Sequence, residues 1–273
     1  MPDTTLTLAV IQDLFAGEDG AERLHRRLRE ARGAGAQLAA LPELPLDPWY
    51  PATREVQDDE AEPPEGPRAQ LLAEAARLAG VGLLGGAIVR DPGSGRRLNR
   101  ALLFDASGTL VATHDKLHLP SEEEFWESDH YEPGDEAAQP IDGFGLSLGI
   151  QICSDLNRPE GSHLLGALGA EVILCPRATP PSSYARWLLV GRANALTSSA
   201  YVVSINRPLE PGLPFGGGSF VVAPDGEVLL ESADPVSMIE LKREALTEAR
   251  RDYPGYLDVR SDLYARAWSK IPR

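Results

Sequence analysis

The stretch that most constrains how this chain can fold is Leu146-Ser147-Leu148-Gly149-Ile150-Gln151-Ile152-Cys153-Ser154-Asp155, continuing through Leu156-Asn157-Arg158-Pro159-Glu160. Its apolar run reads as a buried strand that ends on a cysteine. A polar turn follows, then a helix opened by Pro159 and Glu160, since proline suits the first helical position and acid the first turn. Cys153 is therefore delivered to a strand-to-helix junction. There the unpaired backbone N–H groups and positive local field would lower a thiol pKa and receive developing negative charge. Burial statistics alone make a lone cysteine an ordinary core residue. The rest of the chain weighs against that bland alternative.

Upstream, Thr5 to Gln12 alternates as a strand and Gly20 to Ala34 carries apolar residues at helical spacing. Gln37 to Pro42 is a short buried strand closed by its proline, which leaves Glu43 at the strand's C-terminal edge, where open α/β sheets tend to place chemistry. The acidic, proline-rich segment 53–67 reads as a solvated loop. A helix over Arg68 to Ala79 and strands over Val81 to Arg90, Asn99 to Phe104 and Thr109 to Thr113 lead into His114-Asp115-Lys116-Leu117-His118-Leu119-Pro120. Beyond the cysteine, further strands are predicted over 171–176, 201–206, 218–223, 228–231 and 236–241, with a helix over 184–199. The tail 242–273 is predicted to hold one helix, then Tyr253, Tyr256, Tyr264 and Trp268 in irregular chain that packs on a second subunit. Early alternation of strands and helices, then mostly strands, predicts an α/β protein of two mixed sheets packed together with helices outside.

Composition excludes several classes. The 273 residues, 42% of them hydrophobic, show no compositional break, so a single domain over 1–273 is expected. With 26 basic against 41 acidic residues the net charge is −15, which argues against a nucleic-acid partner. No apolar run approaches the ~18 residues of a membrane span, and Met1-Pro2-Asp3-Thr4-Thr5 has no leader-like pattern. The only cysteines, Cys153 and Cys175, lie in no metal-binding or disulfide pattern, which fits a reducing cytoplasm.

Three patterns are decoys. Gly145-Leu146-Ser147-Leu148-Gly149 matches G-x-S-x-G, but its serine stands near the start of a strand rather than at a strand-to-helix elbow. His114 and His118 flank a lysine and run into Pro120, which works against a metal site. Gly216-Gly217-Gly218 lacks the helix and lysine of a phosphate loop. What remains is Glu43, Lys116 and Cys153, each at the end of a predicted strand. A cysteine nucleophile needs a base, no histidine stands in an obvious partner position, and Glu43 at an apolar strand end fits that task. Lys116 offers fixed positive charge to an oxyanion.

In combination these residues resemble the carbon-nitrogen hydrolase family of the nitrilase superfamily. The resemblance rests on Leu41-Pro42-Glu43-Leu44, on Lys116-Leu117-His118-Leu119, and on Ile152-Cys153-Ser154-Asp155 with Pro159-Glu160, in that order. Glu127, six residues before Pro133-Gly134-Asp135, is similar to the family's auxiliary acid, with Glu122, Glu123 and Glu124 as competitors. The resemblance implies a four-layer α-β-β-α sandwich that forms a homodimer or higher oligomer. It also implies cleavage of a small linear amide or N-carbamoyl compound through a thioester on Cys153, with Glu43, Lys116 and Glu127 as its catalytic partners. No metal or organic cofactor is implied. Nitrile hydrolysis, or a catalytically silent metabolite-binding member of the fold, are the alternatives. Ser154, Arg158 and His114 stand where family members often carry aromatics, which leaves the substrate open. Trp49, Tyr50, Ser154, Arg158 and Arg177 are the substrate-contact candidates, the two arginines as receivers of a carboxylate.

Overall fold

In the first strand, β1 (Thr5–Val10), Leu6, Leu8 and Val10 alternate with Thr7 and Ala9, and a computed structural model covering residues 5–271 shows what the alternation does. Leu6, Leu8 and Val10 pack toward a second sheet, and Ala9 packs with the helices α1 (Gly20–Gly33) and α2 (Pro67–Ala79) on the other side. With a side-chain period of two, each strand serves both faces at once. The Met1–Thr4 part of the segment read for a leader lies outside the described residues, as do Pro272 and Arg273 of the tail.

Two six-stranded sheets result. One is ordered β12-β1-β2-β3-β4-β5, with β2 (Leu38–Ala40), β3 (Gly82–Arg90), β4 (Arg97–Phe104), β5 (Leu110–Asp115) and β12 (Ser237–Lys242). The other is ordered β11-β10-β9-β8-β7-β6, with β6 (Ile141–Phe144), β7 (Leu146–Ile150), β8 (Val172–Arg177), β9 (Tyr201–Asn206), β10 (Ser219–Val222) and β11 (Val228–Ser232). Both are mixed: β1-β2-β3 and β7-β8-β9 run parallel, and the outer pairings are antiparallel. The shared interior joins Leu84, Ala101 and Leu103 of the first sheet to Leu148, Val172 and Val203 of the second. Helices α4 (Pro159–Leu168) and α5 (Tyr184–Ser198) cover the second sheet through Leu165, Trp187 and Ala195. This is the four-layer α-β-β-α sandwich.

The expected elements form within a residue or two of their predicted bounds, with these differences. Segment 53–67, expected as a solvated loop, closes a 3₁₀ turn over Asp58–Glu60 and buries Glu60 and Glu62 in ion pairs with Arg97, His130 and Arg68. The polar turn after β7 is one continuous 3₁₀ turn, Cys153–Asn157. Glu127–His130 closes a single helical turn, α3, where only irregular chain was expected. Strand β6 was not foreseen, because Gly143 at φ 111° breaks its register and its residues do not alternate. The tail is corrected as well. After α6 (Arg243–Arg251), Tyr264 and Trp268 lie on a second helix, α7 (Ser261–Trp268), rather than in irregular chain. That short helix buries none of its residues, so neither a packed apolar face nor length marked it in the sequence.

Candidate active site

Four strand or turn ends meet between the two sheets. Pro42 stops the chain after β2, and Leu44 turns it away in the left-handed region at φ 46°, leaving the Glu43 side chain buried. Lys116 follows β5 directly, its backbone N–H bonded to Asn99 O at 2.9 Å. The Asn99 side chain on β4 then donates to Glu43 Oε1 at 2.8 Å, so one residue holds both partners. Gly134 N–H donates to Lys116 O at 2.9 Å, and a Cβ at Gly134 would come within 2.8 Å of Asp115 O. The Pro133-Gly134-Asp135 turn thus needs its glycine to lie against the lysine segment.

Lys116 Nζ donates to Glu43 Oε1 at 2.7 Å and to Glu127 Oε1 and Oε2 at 2.7 and 2.6 Å, all three side chains being buried. Burial works against the lysine's charge, but the fields of Glu127 and Glu43 outweigh it and hold its pKa well above the ordinary value. Burial, opposed by Lys116, pushes the Glu127 carboxyl up to about 8. Glu43 Oε2 has no hydrogen-bond partner among the described residues. A buried carboxylate oxygen left open, on an acid whose field reaches the thiol, is what a proton acceptor requires. Glu122, Glu123 and Glu124 are exposed, so of the four competing acids Glu127 is the one bonded to the lysine.

Cys153 is buried at the head of the 3₁₀ turn with φ 47°, an uncommon conformation for a residue with a side chain. Glu43, Lys116 and Glu127 all act electrostatically on its thiol. Burial first, then Glu43, push the thiol well above its ordinary pKa, with Lys116 pulling the other way. This corrects the expectation of a lowered pKa. Desolvation and an adjacent acid outweigh the positive field of a turn start. The resting group is a neutral thiol, which must lose its proton as it attacks.

Asp155 secures the turn. It accepts from Ile152 N–H at 3.1 Å, from Leu117 and His118 N–H at 3.1 and 3.0 Å, and pairs with His118 Nδ1 at 2.8 Å and His114 Nε2 at 3.3 Å. Burial would raise its pKa, but the bonds to His114 and His118 hold it well below the usual carboxylate range. The nucleophile turn and the lysine segment are thereby pinned to one carboxylate. Arg207, just past β9, does the same for the base. It donates to Glu43 O, Leu44 O and Asp47 O at 3.2, 3.0 and 3.1 Å, is held by Glu210 at 2.9 Å, and lies against the Trp49 and Phe215 rings. Asn99, the Asp155 carboxylate and the Arg207 staple were missed as functional groups in the sequence. Their only signal was position, with Asp155 inside a segment that resembles a family motif.

The substrate-contact candidates separate. Trp49 is buried in an aromatic wall, edge-on to Phe215 at 5.1 Å and to Phe125 at 6.0 Å, in one cluster with Leu44 and Ala178. Tyr50 is half-buried against that wall, and Ser154 donates to His118 O beside the nucleophile. The two arginines are not brought to the buried acids. Arg158 is exposed at the N-cap of α4. Arg177 is fully buried but donates to Ser204 Oγ and Gly218 O, both at 2.6 Å, and to Thr179 Oγ1, and burial lowers its pKa to about 10. Its guanidinium ties the ends of β8 and β10 together.

A family model described as carbon-nitrogen hydrolase matches residues 10–251. The chain is 31% identical over 276 residues to the omega-amidase NIT2 of Homo sapiens, covering 96% of this chain and 98% of that protein. It is also 31% identical over 273 residues to omega-amidase NIT2-A of Xenopus laevis, covering 94% and 96%. Among solved structures, a carbon-nitrogen hydrolase from Helicobacter pylori G27 superposes with a TM-score of 0.86 at 23% identity, covering 98% of this chain and all of that one. An amidase from Nesterenkonia sp. gives a TM-score of 0.78 at 25% identity, covering 96% of each chain. With its motifs, fold and relatives in agreement, this chain belongs to the carbon-nitrogen hydrolase family and is an enzyme of the amidase kind.

Proposed function

We propose that the protein hydrolyses a small linear amide or N-carbamoyl compound through a thioester on Cys153. The observation that carries this reading is the buried ammonium of Lys116 held between Glu43 and Glu127, with Glu43 Oε2 left open and the Cys153 thiol within the field of all three. Cys153 attacks the carbonyl carbon as Glu43 takes the thiol proton. The oxyanion is received by Lys116 and the backbone N–H at Ser154. Glu43 passes the proton to the leaving nitrogen, ammonia or amine departs, and the thioester remains. Glu43 then takes a proton from water, whose oxygen attacks the thioester carbon, and the sulfur leaves with a proton as the acid is released. Glu127 keeps the ammonium in register throughout. The similarity to omega-amidases and to a solved amidase favours an amide over a nitrile.

The finer placements belong to the same reading. Both cysteines are free and buried, which suits a reducing cytoplasm. No helix among the described residues is long and apolar enough to cross a membrane. The tail leaves Tyr253 74% and Trp268 53% exposed, and we assign that face to a second copy of the chain in a homodimer, with residues 1–273 as one domain. Ammonia release from aliphatic amides, dicarboxylic monoamides, N-carbamoyl amino acids and nitriles tests the chemistry. Cys153→Ala is expected to lower turnover roughly 10³-fold or more while the circular dichroism spectrum stays unchanged. A variant that still turns over would end the thioester mechanism, and activity on nitriles alone would end the amide reading.

A further inference from the structure

Tyr131 stands four residues after Glu127 and is 3% exposed, yet its hydroxyl is bonded to nothing among the described residues. A buried hydroxyl without a partner is costly, and a fold retains one where a ligand completes it. The ring packs in the same small apolar cluster as Leu44, Trp49, Ala178 and Phe215. Two of these adjoin the chemistry along the chain: Leu44 follows the proton acceptor, and Ala178 follows directly on β8, whose Cys175 thiol lies 3.9 Å from the Cys153 carbonyl oxygen. The cluster is otherwise aromatic and aliphatic, so the phenol is its lone side-chain hydrogen-bonding group apart from the indole N–H of Trp49, already spent on Glu124 O at 2.9 Å, and the half-buried Tyr50. Apolar pockets with one or two placed polar groups are how small ligands are oriented.

Acids from three segments act on Tyr131, namely Glu127, Glu43 with Asp47, and Glu60, while the Arg207 guanidinium lies against the Trp49 and Phe215 rings of the same cluster. Burial, and then those acids, hold the phenol well above its ordinary pKa, so it is a neutral donor. Two of those acids leave a buried oxygen open, Glu43 Oε2 and Asp47 Oδ2, and both are acceptors. An open donor and an open acceptor, each acted on by the same buried acids, match the two ends of a carboxamide, an oxygen and an N–H.

We propose that Tyr131 is a substrate-contacting residue whose phenol donates a hydrogen bond to a neutral oxygen of the bound amide. This deepens the amide-hydrolase reading and rests on it for the identity of the ligand. Tyr131→Phe removes the hydroxyl and nothing else. It is expected to lower kcat/KM about tenfold on the amide best turned over by the wild type, the size of one lost neutral hydrogen bond. The melting temperature is expected to rise by roughly 2–4 °C, because an unpaired buried hydroxyl is gone.

Alkylation of Cys153 separates this inference from the amide-hydrolase reading. Iodoacetamide carries a carboxamide oxygen and iodomethane, with the same leaving group, carries none. Tyr131→Phe should slow iodoacetamide about fivefold or more relative to wild type and leave iodomethane unchanged. That ratio is readable even if the wild type releases ammonia from no amide tested, an outcome that would sink the proposed function alone. If Tyr131→Phe fails to fold, Tyr131→Met gives the same comparison. Unchanged kcat/KM together with an unchanged alkylation ratio overturns the assignment and leaves the phenol a packing group.

Discussion

At the scale of single residues, the thiol and its base respond to each other in a way that separates charge from chemistry. Burial and Glu43 raise the Cys153 pKa, and burial pushes Cys175 up to about 12. The thiolate is the reactive form, so alkylation of Cys153 by iodoacetamide should climb steadily as pH passes 9, with no plateau below it. Cys175, wholly buried in the core, should stay unlabelled in the native protein. Glu43→Gln removes a negative neighbour and so lowers the thiol pKa, which raises the thiolate fraction at any given pH. Labelling at pH 9 should therefore quicken while ammonia release falls roughly 10²–10⁴-fold. Mass spectrometry of the labelled peptides and a coupled ammonia assay read the two effects. A Glu43→Gln variant slowed in both would mean that the acid acts by field or packing rather than as a proton carrier. Glu43, Lys116 and Cys153 stood out in the sequence only together, through the order of three segments that resemble one family, because each alone has an ordinary use as a cap acid, a loop charge or a core thiol. The direction of the thiol shift was not legible, because the turn start is visible in sequence and the burial that outweighs it is not.

At the scale of elements, the site is assembled by chain ends held from behind. Arg207 follows β9 of one sheet and grips the three carbonyls after β2 of the other, so it carries the Glu43 turn from across the sandwich. Arg207→Met leaves those carbonyls and Glu210 without a donor. It is expected to cost about 2–4 kcal/mol of stability and to lower kcat at least tenfold, with KM changed less than kcat. Denaturant unfolding and steady-state kinetics check this. A variant with normal kcat would reduce Arg207 to a packing role. Strands with clean alternation, such as β1, and helices with apolar residues at helical spacing, such as α1, were legible from local pattern. Strand β6 and helix α7 were not. One owes its pairing to a neighbour, and the other shows no face that the rest of the described chain buries.

At the scale of the whole molecule, the exposed tail sets the third test. Tyr256, Leu257, Leu263, Tyr264 and Trp268 all stay exposed on a chain of net charge −15, a surface that favours a covered state only if charges are kept at its rim. Tyr264→Glu with Trp268→Glu should convert a dimer to a monomer in mass photometry without lowering the melting temperature of the subunit by more than a few degrees. A wild type that is monomeric at micromolar concentration would remove the assignment of that face to a second copy.

What the sequence alone determined is what neighbours along the chain can enforce. It carried the alternation that makes two-faced strands, the proline and glycine that end them, and the order of three segments that resemble one family. What only the tertiary structure decided is which groups share one low-dielectric space. The single ammonium between two acids, the phenol with no partner and the direction of the thiol shift all arise where residues distant in the chain exclude water together. Desolvation belongs to that enclosed space rather than to any one segment, so no local pattern spells it out.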